Sequence, residues 1–409
     1  MAKPVSLNQD LDAHLAAFRR GHVDWVDEGQ LRSLLRARLD QGQGLRVKFG
    51  MDPSSPDLHV GHSIPLLKLR DLQQLGHTVV LIVGDATAMV GDPTGRSQLR
   101  PILTRAQVDD NLKTYVEQAG LVLDMEHVEV RRNSEWFDRM GFEELLKLCT
   151  RMTVAQMIER DTFQTRMEAK EPIGINEFLY PLMQGWDSVM VQADVELGGT
   201  DQLFNLLVGR RLQEQENQRP QVVLTTPLIN GLDGRKMSKS YGNAVSLTDD
   251  ARSMTFALMR LDDEAMPVWF EQLTRLPVGE IQALLKGHPR EAKARLALEV
   301  TQTYHGLEAA LDAAQAFDRE VRDKELPPDI EHHAWQADWG AELPLPNLLA
   351  NLGLVASTSE ARRMIQQGAV RVGGEIQRDP HFACVSPKIE QLIQVGKKRF
   401  AYLDPGASS

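Results

Sequence analysis

One stretch limits the fold more than any other: residues 45–83 alternate, then wind, then run straight. Leu45, Val47 and Phe49 alternate with Arg46 and Lys48, the pattern of a half-buried strand. Ile64, Leu66, Leu67, Leu69, Leu72 and Leu75 then recur at helical spacing until Gly76 supplies a stop. Residues 78–83 are β-branched and almost wholly apolar, as a central parallel strand is. Strand, helix and buried strand make a β-α-β unit, which predicts an α/β, doubly wound, parallel-sheet fold. Ligands of such sheets sit where strands hand over to helices. Here that segment reads Gly50-Met51-Asp52-Pro53-Ser54-Ser55-Pro56-Asp57-Leu58-His59-Val60-Gly61-His62.

His59 and His62, three residues apart at a helix start, face the same side. Gly61 between them has no Cβ, so a flat or bulky group can lie against the backbone. The helix N-terminus favours a phosphate. Taken alone, the pair admits three readings: two surface histidines, a phosphate site, or a metal site that no further His or Cys cluster supports.

Further along, Leu11 to Arg38 reads as one or two helices, with Phe18 and Trp25 packing over the sheet. Gly84-Asp85-Ala86-Thr87 closes the first unit, and the turn-dense loop 91–97 follows; it lacks the Gly-Lys-Ser of a Walker phosphate loop. Thr104 caps a helix through about Ala119, Val128 to Arg131 is a strand, and Asn133-Ser134-Glu135-Trp136 is a turn. Thr153 starts an exposed helix. Residues 176–190 form another, in which Pro181 marks a start or a kink. On it Tyr180, Gln184 and Asp187 stand at i, i+4 and i+7 and share one face. That stripe is either solvent-facing or, if buried, costly unless its polar groups are satisfied. Val195-Glu196-Leu197 is a strand, and Gly198-Gly199-Thr200-Asp201-Gln202 makes a second strand-to-helix corner, with an acid suited to a ribose hydroxyl. After a strand at 222–226 comes a cationic loop, 231–243, containing Lys236-Met237-Ser238-Lys239-Ser240. Residues 251–322 are largely helical. From Pro344 a short helix stopped by Gly353, a second helix capped by Thr358 or Ser359, and a hairpin turning at Gly373-Gly374 lead to Lys397-Lys398-Arg399.

At 409 residues the chain has room for two or three domains. No apolar run is long enough to span a membrane, and the first residues lack the apolar core of a signal peptide. The two cysteines, Cys149 and Cys384, suit buried thiols in a reducing cytoplasm. Net charge is −11, against wholesale nucleic-acid binding, but from residue 341 onward 8 Lys+Arg outnumber 6 Asp+Glu, 8 − 6 = +2. A basic tail on an acidic body permits a local RNA contact.

His59-x-Gly61-His62 followed by Lys236-Met237-Ser238-Lys239-Ser240, on an alternating β/α pattern, resembles the two signatures of class I aminoacyl-tRNA synthetases. Within that class the chain is similar to bacterial tyrosyl-tRNA synthetases along nearly its whole length, and its tail resembles an S4 RNA-binding module. The resemblance implies a Rossmann-type catalytic domain over 1–244, a helical anticodon-binding-type domain over 245–326, a linker at 327–343 and a small α+β S4-like domain over 344–405. It implies that ATP, with Mg²⁺, activates L-tyrosine, and that tyrosyl passes to tRNA(Tyr), in a homodimer with no membrane association. By the same resemblance His59, His62, Lys236, Lys239 and Ser240 serve the phosphates. Asp52, Gly61, Gly199, Asp201 and Lys239 bind ATP. Asp92, Tyr180, Gln184, Asp187 and Gln202 bind tyrosine, with Asp187 accepting from the phenol. Arg362, Arg363, Lys397, Lys398 and Arg399 meet RNA. In one departure, Lys48 stands where the best-known members carry a tyrosine that contacts the phenol, so the second phenol partner is unassigned. The rivals are a tryptophanyl enzyme, a small nucleotidyltransferase, and a non-catalytic RNA-binding derivative.

Overall fold

Six strands at the centre of the protein are ordered β1-β6-β5-β2-β3-β4 in a computed structural model that describes residues 7–53, 58–93, 104–322, 330–396 and 399–405. They are β1 (Trp25–Val26), β2 (Arg46–Met51), β3 (Thr78–Val83), β4 (Val128–Arg132), β5 (Val195–Gly199) and β6 (Val222–Thr226). All pair in parallel except β1, an antiparallel edge on β6. From β2 the chain winds outward through β3 and β4, then returns to fill the other side with β5 and β6. The order therefore reverses between β2 and β5, where a doubly wound sheet binds its ligands. Of the segments singled out above, residues 54–57, 94–97, Pro327, Pro328, Lys397 and Lys398 lie outside the described residues.

The local signals explain most boundaries. The Thr104 side chain accepts from the Gln107 N–H and starts the helix Arg105–Ala119. Leu179–Val191 begins two residues before Pro181, so the proline sits in the first turn, where its missing N–H costs nothing and no kink is needed. Trp25, expected to pack from a helix, instead belongs to the edge strand β1 between the helices Leu11–Arg19 and Glu28–Asp40.

The chain divides into two compact units, Met1–Gln315 and Ala316–Ser409. The helices Ala251–Leu258, Met266–Leu273, Val278–Lys286 and most of Pro289–Phe317 fall in the first. The break expected between 244 and 245 is not a break in the core: Trp269, Phe270 and Leu296 share one apolar cluster with Leu66 and Leu69 of the helix Val60–Gln74. The hydroxyls of Ser63 and Tyr304, 2.5 Å apart, add a polar tie, and the burial that comes with it pushes the Tyr304 phenol up to about 12.

The second unit has a five-stranded sheet, ordered β10-β9-β12-β13-β7, and a two-stranded one, β11-β8. Its strands are β7 (His332–Ala334), β8 (Glu342–Pro344), β9 (Val370–Val372), β10 (Glu375–Gln377), β11 (Ala383–Val385), β12 (Gln391–Val395) and β13 (Arg399–Asp404). The described part of the expected linker, 330–343, is thus not a spacer: β7 pairs with β13, and β8 with β11. Helices Leu345–Asn351 and Thr358–Gln366 cover a core that includes Leu348, Ile365 and Ile393. Ser357, rather than Thr358 or Ser359, caps the second helix by accepting from the Glu360 N–H.

Candidate active site

A cleft of about 330 Å³ opens at the C-terminal ends of β2 and β5. Gly50, Met51 and Asp52 approach it from β2, Gly198 and Gly199 from β5, and Gly61 and His62 from the start of the helix Val60–Gln74. The helix Leu179–Val191 contributes Tyr180, Gln184 and Asp187, so the polar stripe faces the cleft rather than solvent.

Asp187 is 3% exposed. One carboxylate oxygen accepts from the Trp136 indole N–H at 3.0 Å, the other from Asn133 Nδ2 at 3.3 Å. Burial pushes its carboxyl up to about 7, against the pull of Lys48 and those two donors. Asn133 is itself fixed, its Oδ1 accepting from the Ala86 N–H at 2.8 Å. The Tyr180 hydroxyl donates to Asp52 Oδ2 at 2.8 Å, and Thr87 Oγ1 donates to Asp52 Oδ1 at the same distance. Burial and the neighbouring Asp52 push the Tyr180 phenol well above its ordinary value. This carboxylate lies so close to Gly84 that a Cβ there would be 2.0 Å from Asp52 Oδ1. Gln202 Nε2 donates to Asp92 at 2.9 Å, and the buried Arg160 lies 3.3 Å from the same carboxylate. Asn205 Nδ2 donates to both Gln184 Oε1 and Gln202 Oε1, each at 2.9 Å. Asp52, Asp92 and Asp201 thus bring three carboxylates to one cleft, a setting for a cation; burial and then Asp92 raise the pKa of Asp201.

At the opposite end, the rings of His59 and His62 stack with centroids 3.7 Å apart. The His59 backbone N–H donates to His62 Nδ1 at 3.2 Å, which leaves Nε2 of His62 as the atom that carries hydrogen. Burial pushes His59 down to about 3, with His62 and Lys239 adding to the effect, and the same desolvation lowers His62, though its ring is open to solvent. Both shifts favour neutral rings near pH 7.

The two remote signatures meet. Val60 N–H donates to the Val245 carbonyl at 3.0 Å and Leu247 N–H to the Leu58 carbonyl at 3.1 Å, a short antiparallel bridge around His59 and Ser246. A Cβ at Gly61 would stand 3.5 Å from Met237 Sδ. Asn243 closes the loop on itself: its Oδ1 accepts from the Ser238 N–H at 2.8 Å, and its Nδ2 donates to the Lys236 carbonyl at 3.1 Å. Lys236, Lys239 and Ser240 are exposed and stand outside the cleft lining, whereas Asp52, Gly61, His62, Asp92, Tyr180, Gln184, Asp187, Gly199, Asp201 and Gln202 all line it. In the second unit Arg362 and Arg363 are exposed on the helix Thr358–Gln366, and Arg399 lies 3.0 Å from Glu360.

Sequence reasoning missed Asn133, Trp136, Arg160 and Asn205. Asn133 and Trp136 directly follow β4, at the C-terminal edge where sites form, and that position was the available signal. Arg160 and Asn205 carried none.

The sheet order, the paired histidines and the cationic loop define a class I nucleotide-activating site. The chain matches the model of the tRNA synthetases class I (W and Y) over residues 40–322, and belongs to that family; residues 343–385 match the S4 domain. It is 46% identical over 404 residues to the tyrosine–tRNA ligase of Moorella thermoacetica, covering 97% of each chain. It is 45% identical over 396 residues to that of Thermotoga maritima, covering 95% of this chain and 96% of the other. Among solved structures, a C-terminally truncated mitochondrial tyrosyl-tRNA synthetase of Aspergillus nidulans superposes with a TM-score of 0.61 at 24% identity, over 76% of this chain and 94% of that one. The tyrosyl-tRNA synthetase of Archaeoglobus fulgidus complexed with L-tyrosine gives 0.59 at 21% identity, over 75% and 100%. At those identities the two structures speak to the fold.

Proposed function

We infer that the protein is a tyrosine–tRNA ligase, which activates L-tyrosine with ATP and then esterifies the 3′ end of tRNA(Tyr). The observation that carries this is Asp187: a buried carboxylate at the cleft floor that receives two N–H donors and keeps lone pairs for a hydroxyl donor. The near full-length identity to tyrosine–tRNA ligases selects tyrosine over tryptophan.

In the first step a tyrosine carboxylate oxygen bonds to the α-phosphorus and the bond to pyrophosphate breaks. The nucleophile is already ionised, so no proton has to move. What the reaction needs is donors aimed at the charge that develops on phosphate oxygens. His59 and His62 supply neutral N–H groups, while Lys236, Lys239 and Ser240 close from the loop over the leaving pyrophosphate. Mg²⁺ would accompany ATP, held mainly by the phosphates rather than by a protein cage. Asp52, Gly199 and Asp201 face the nucleoside. Asp92 supplies charge for the substrate ammonium, alongside Tyr180, whose hydroxyl hydrogen is already committed to Asp52, and the oxygens of Gln184 and Gln202. In the second step a hydroxyl oxygen of the tRNA terminal ribose bonds to the tyrosyl carbonyl carbon, the bond from that carbon to the AMP phosphate oxygen breaks, and the hydroxyl proton passes to the departing phosphate.

Arg362, Arg363 and Arg399 offer basic groups to tRNA, and Lys397 and Lys398 add positive charge in the same stretch of sequence. The protein works in the cytoplasm as a homodimer; exposed Phe142, Leu146, Val154 and Ile175 supply uncovered apolar surface for a partner copy. The deciding experiment is amino-acid-dependent pyrophosphate exchange. Exchange with tyrosine and not with tryptophan or phenylalanine is expected, and exchange driven by tryptophan overturns the reading. Reversing the charge of Arg362 and Arg363 to Glu should leave exchange intact and raise the KM for tRNA by about tenfold or more; an unchanged KM removes the tail from RNA binding.

A further inference from the structure

Lys48 and Glu196 form an ion pair inside the sheet, directly opposite one another in the register of β2 and β5, with side chains 0% and 1% exposed. Two charges at that depth are expensive unless each is fully met. The ammonium donates to Ser188 Oγ at 2.8 Å and to the Gln184 carbonyl at 2.9 Å, and it lies 2.7 Å from Glu196 Oε1, an ion-pair contact without hydrogen-bond geometry. Ser188 then donates its own hydrogen to Glu196 Oε2 at 3.0 Å, and Gln221 Nε2 donates to that same oxygen. Lys48 is fully buried and does not line the cleft, so it does not replace the tyrosine that relatives place here as a direct contact to a phenol.

What it grips is informative. Gln184 and Ser188 belong to the turn of the helix Leu179–Val191 that carries Asp187. Among the described residues Asp187 is hydrogen-bonded to the neutral donors Asn133 and Trp136 from the segment after β4 and is in no ion pair. The charged groups that act on it are Lys48 from β2, which favours its ionised form, and Glu196 from β5, which opposes it; Tyr180 on its own helix is neutral. We propose that Lys48, clamped by Glu196, is a positioning residue for substrate choice: it fixes the Gln184–Ser188 turn against the sheet and supplies the positive field beneath the Asp187 carboxylate, so that a ring bearing a hydroxyl is taken over one that does not. This rests on the tyrosine reading of the cleft.

The two partners push Asp187 in opposite directions, which gives the test. Lys48→Met leaves the Glu196 charge facing Asp187, and the acidic limb of kcat/KM for tyrosine in pyrophosphate exchange should move up by about one pH unit. The preference for tyrosine over phenylalanine at pH 7 should fall about fivefold with it, while kcat/KM for phenylalanine changes less than about threefold. Glu196→Gln leaves the positive charge alone, and the limb should move down. Should Lys48→Met not fold, Lys48→Met/Glu196→Gln removes both charges and should still shift the limb upward, because Lys48 acts on Asp187 more strongly than Glu196 does. A purely structural pair would lower the fraction of active sites, counted by stoichiometric adenylate formation, without moving limb or preference; that result, or both single variants shifting the limb the same way, overturns the proposal. Failure of the tyrosine reading would show earlier, as absent tyrosine-dependent exchange in the unaltered protein.

Discussion

The floor and the lip of this cleft are built in opposite ways. On the floor, Asp187, Asn133, Trp136, Gln184, Asn205 and Gln202 are already bonded to protein partners, and most are buried. On the lip, Lys236, Lys239 and Ser240 are exposed on a loop anchored through buried Met237 and Asn243. A preformed floor loses little entropy when a ligand arrives and holds its donors and acceptors to a narrow geometry, as discrimination demands. A loop that must close can instead bring its charges to bear as the reaction proceeds, as rate demands. Choice of amino acid and speed of activation are thereby assigned to separate parts of one site.

The sharpest way to break that division is at the lip. Lys239→Ala should slow adenylate formation on the order of 10² to 10³, the typical cost of removing a donor aimed at developing charge. Tyrosine affinity should stay within about threefold, because no floor contact changes. Rapid-quench measurement of the first turnover, beside equilibrium binding of tyrosine, separates the two. A large loss of affinity would mean that lip and floor are not independent.

Asp187→Ala attacks the floor. Removing a buried, charged acceptor should lower the ratio of kcat/KM for tyrosine over phenylalanine on the order of 10². Turnover at saturating phenylalanine should be little altered, since the phosphate end is untouched. If the variant still rejects phenylalanine as firmly, the phenol is read elsewhere.

What the sequence disclosed follows the same division between local and remote causes. β3 and β6 were bounded to the residue, because a central parallel strand is apolar on both faces and needs no partner to declare itself. The stripe of Tyr180, Gln184 and Asp187 was legible as a face, but its direction was not: helical spacing cannot say whether a polar stripe meets water or a buried cleft. Lys48 shows the limit best. Strand alternation places it on the face opposite Val47 and Phe49, which reads as solvent, yet the helix Leu179–Val191 covers that face and Glu196 neutralises the charge from β5. β7 and β8 were hidden for a related reason, since each is only three residues long and exists by pairing with a remote strand. Residues whose role is fixed by their own neighbours in sequence could be read; those fixed by a partner across the sheet could not.

Protonation offers the gentlest probe of the contrast. Burial raises the Asp187 carboxyl to about 7, so its ionised form is present above that pH and is lost as pH falls through it. The hydrogen-bond acceptor for a phenol weakens in step, and kcat/KM for tyrosine, which reports the free enzyme, should drop by about tenfold per unit below pH 7. Phenylalanine has no hydroxyl to lose, and its kcat/KM should lack the limb. At the lip the sign is reversed. His59 has been pushed down to about 3 and His62 is lowered as well, so both are expected to stay neutral donors through the physiological range. Turnover with tyrosine saturating should accordingly vary by less than about twofold from pH 5.5 to 8. A limb near 6.5 in kcat would mean that one of these histidines titrates like an exposed imidazole and works as a cation, and the lip would then depend on its own protonation as the floor does.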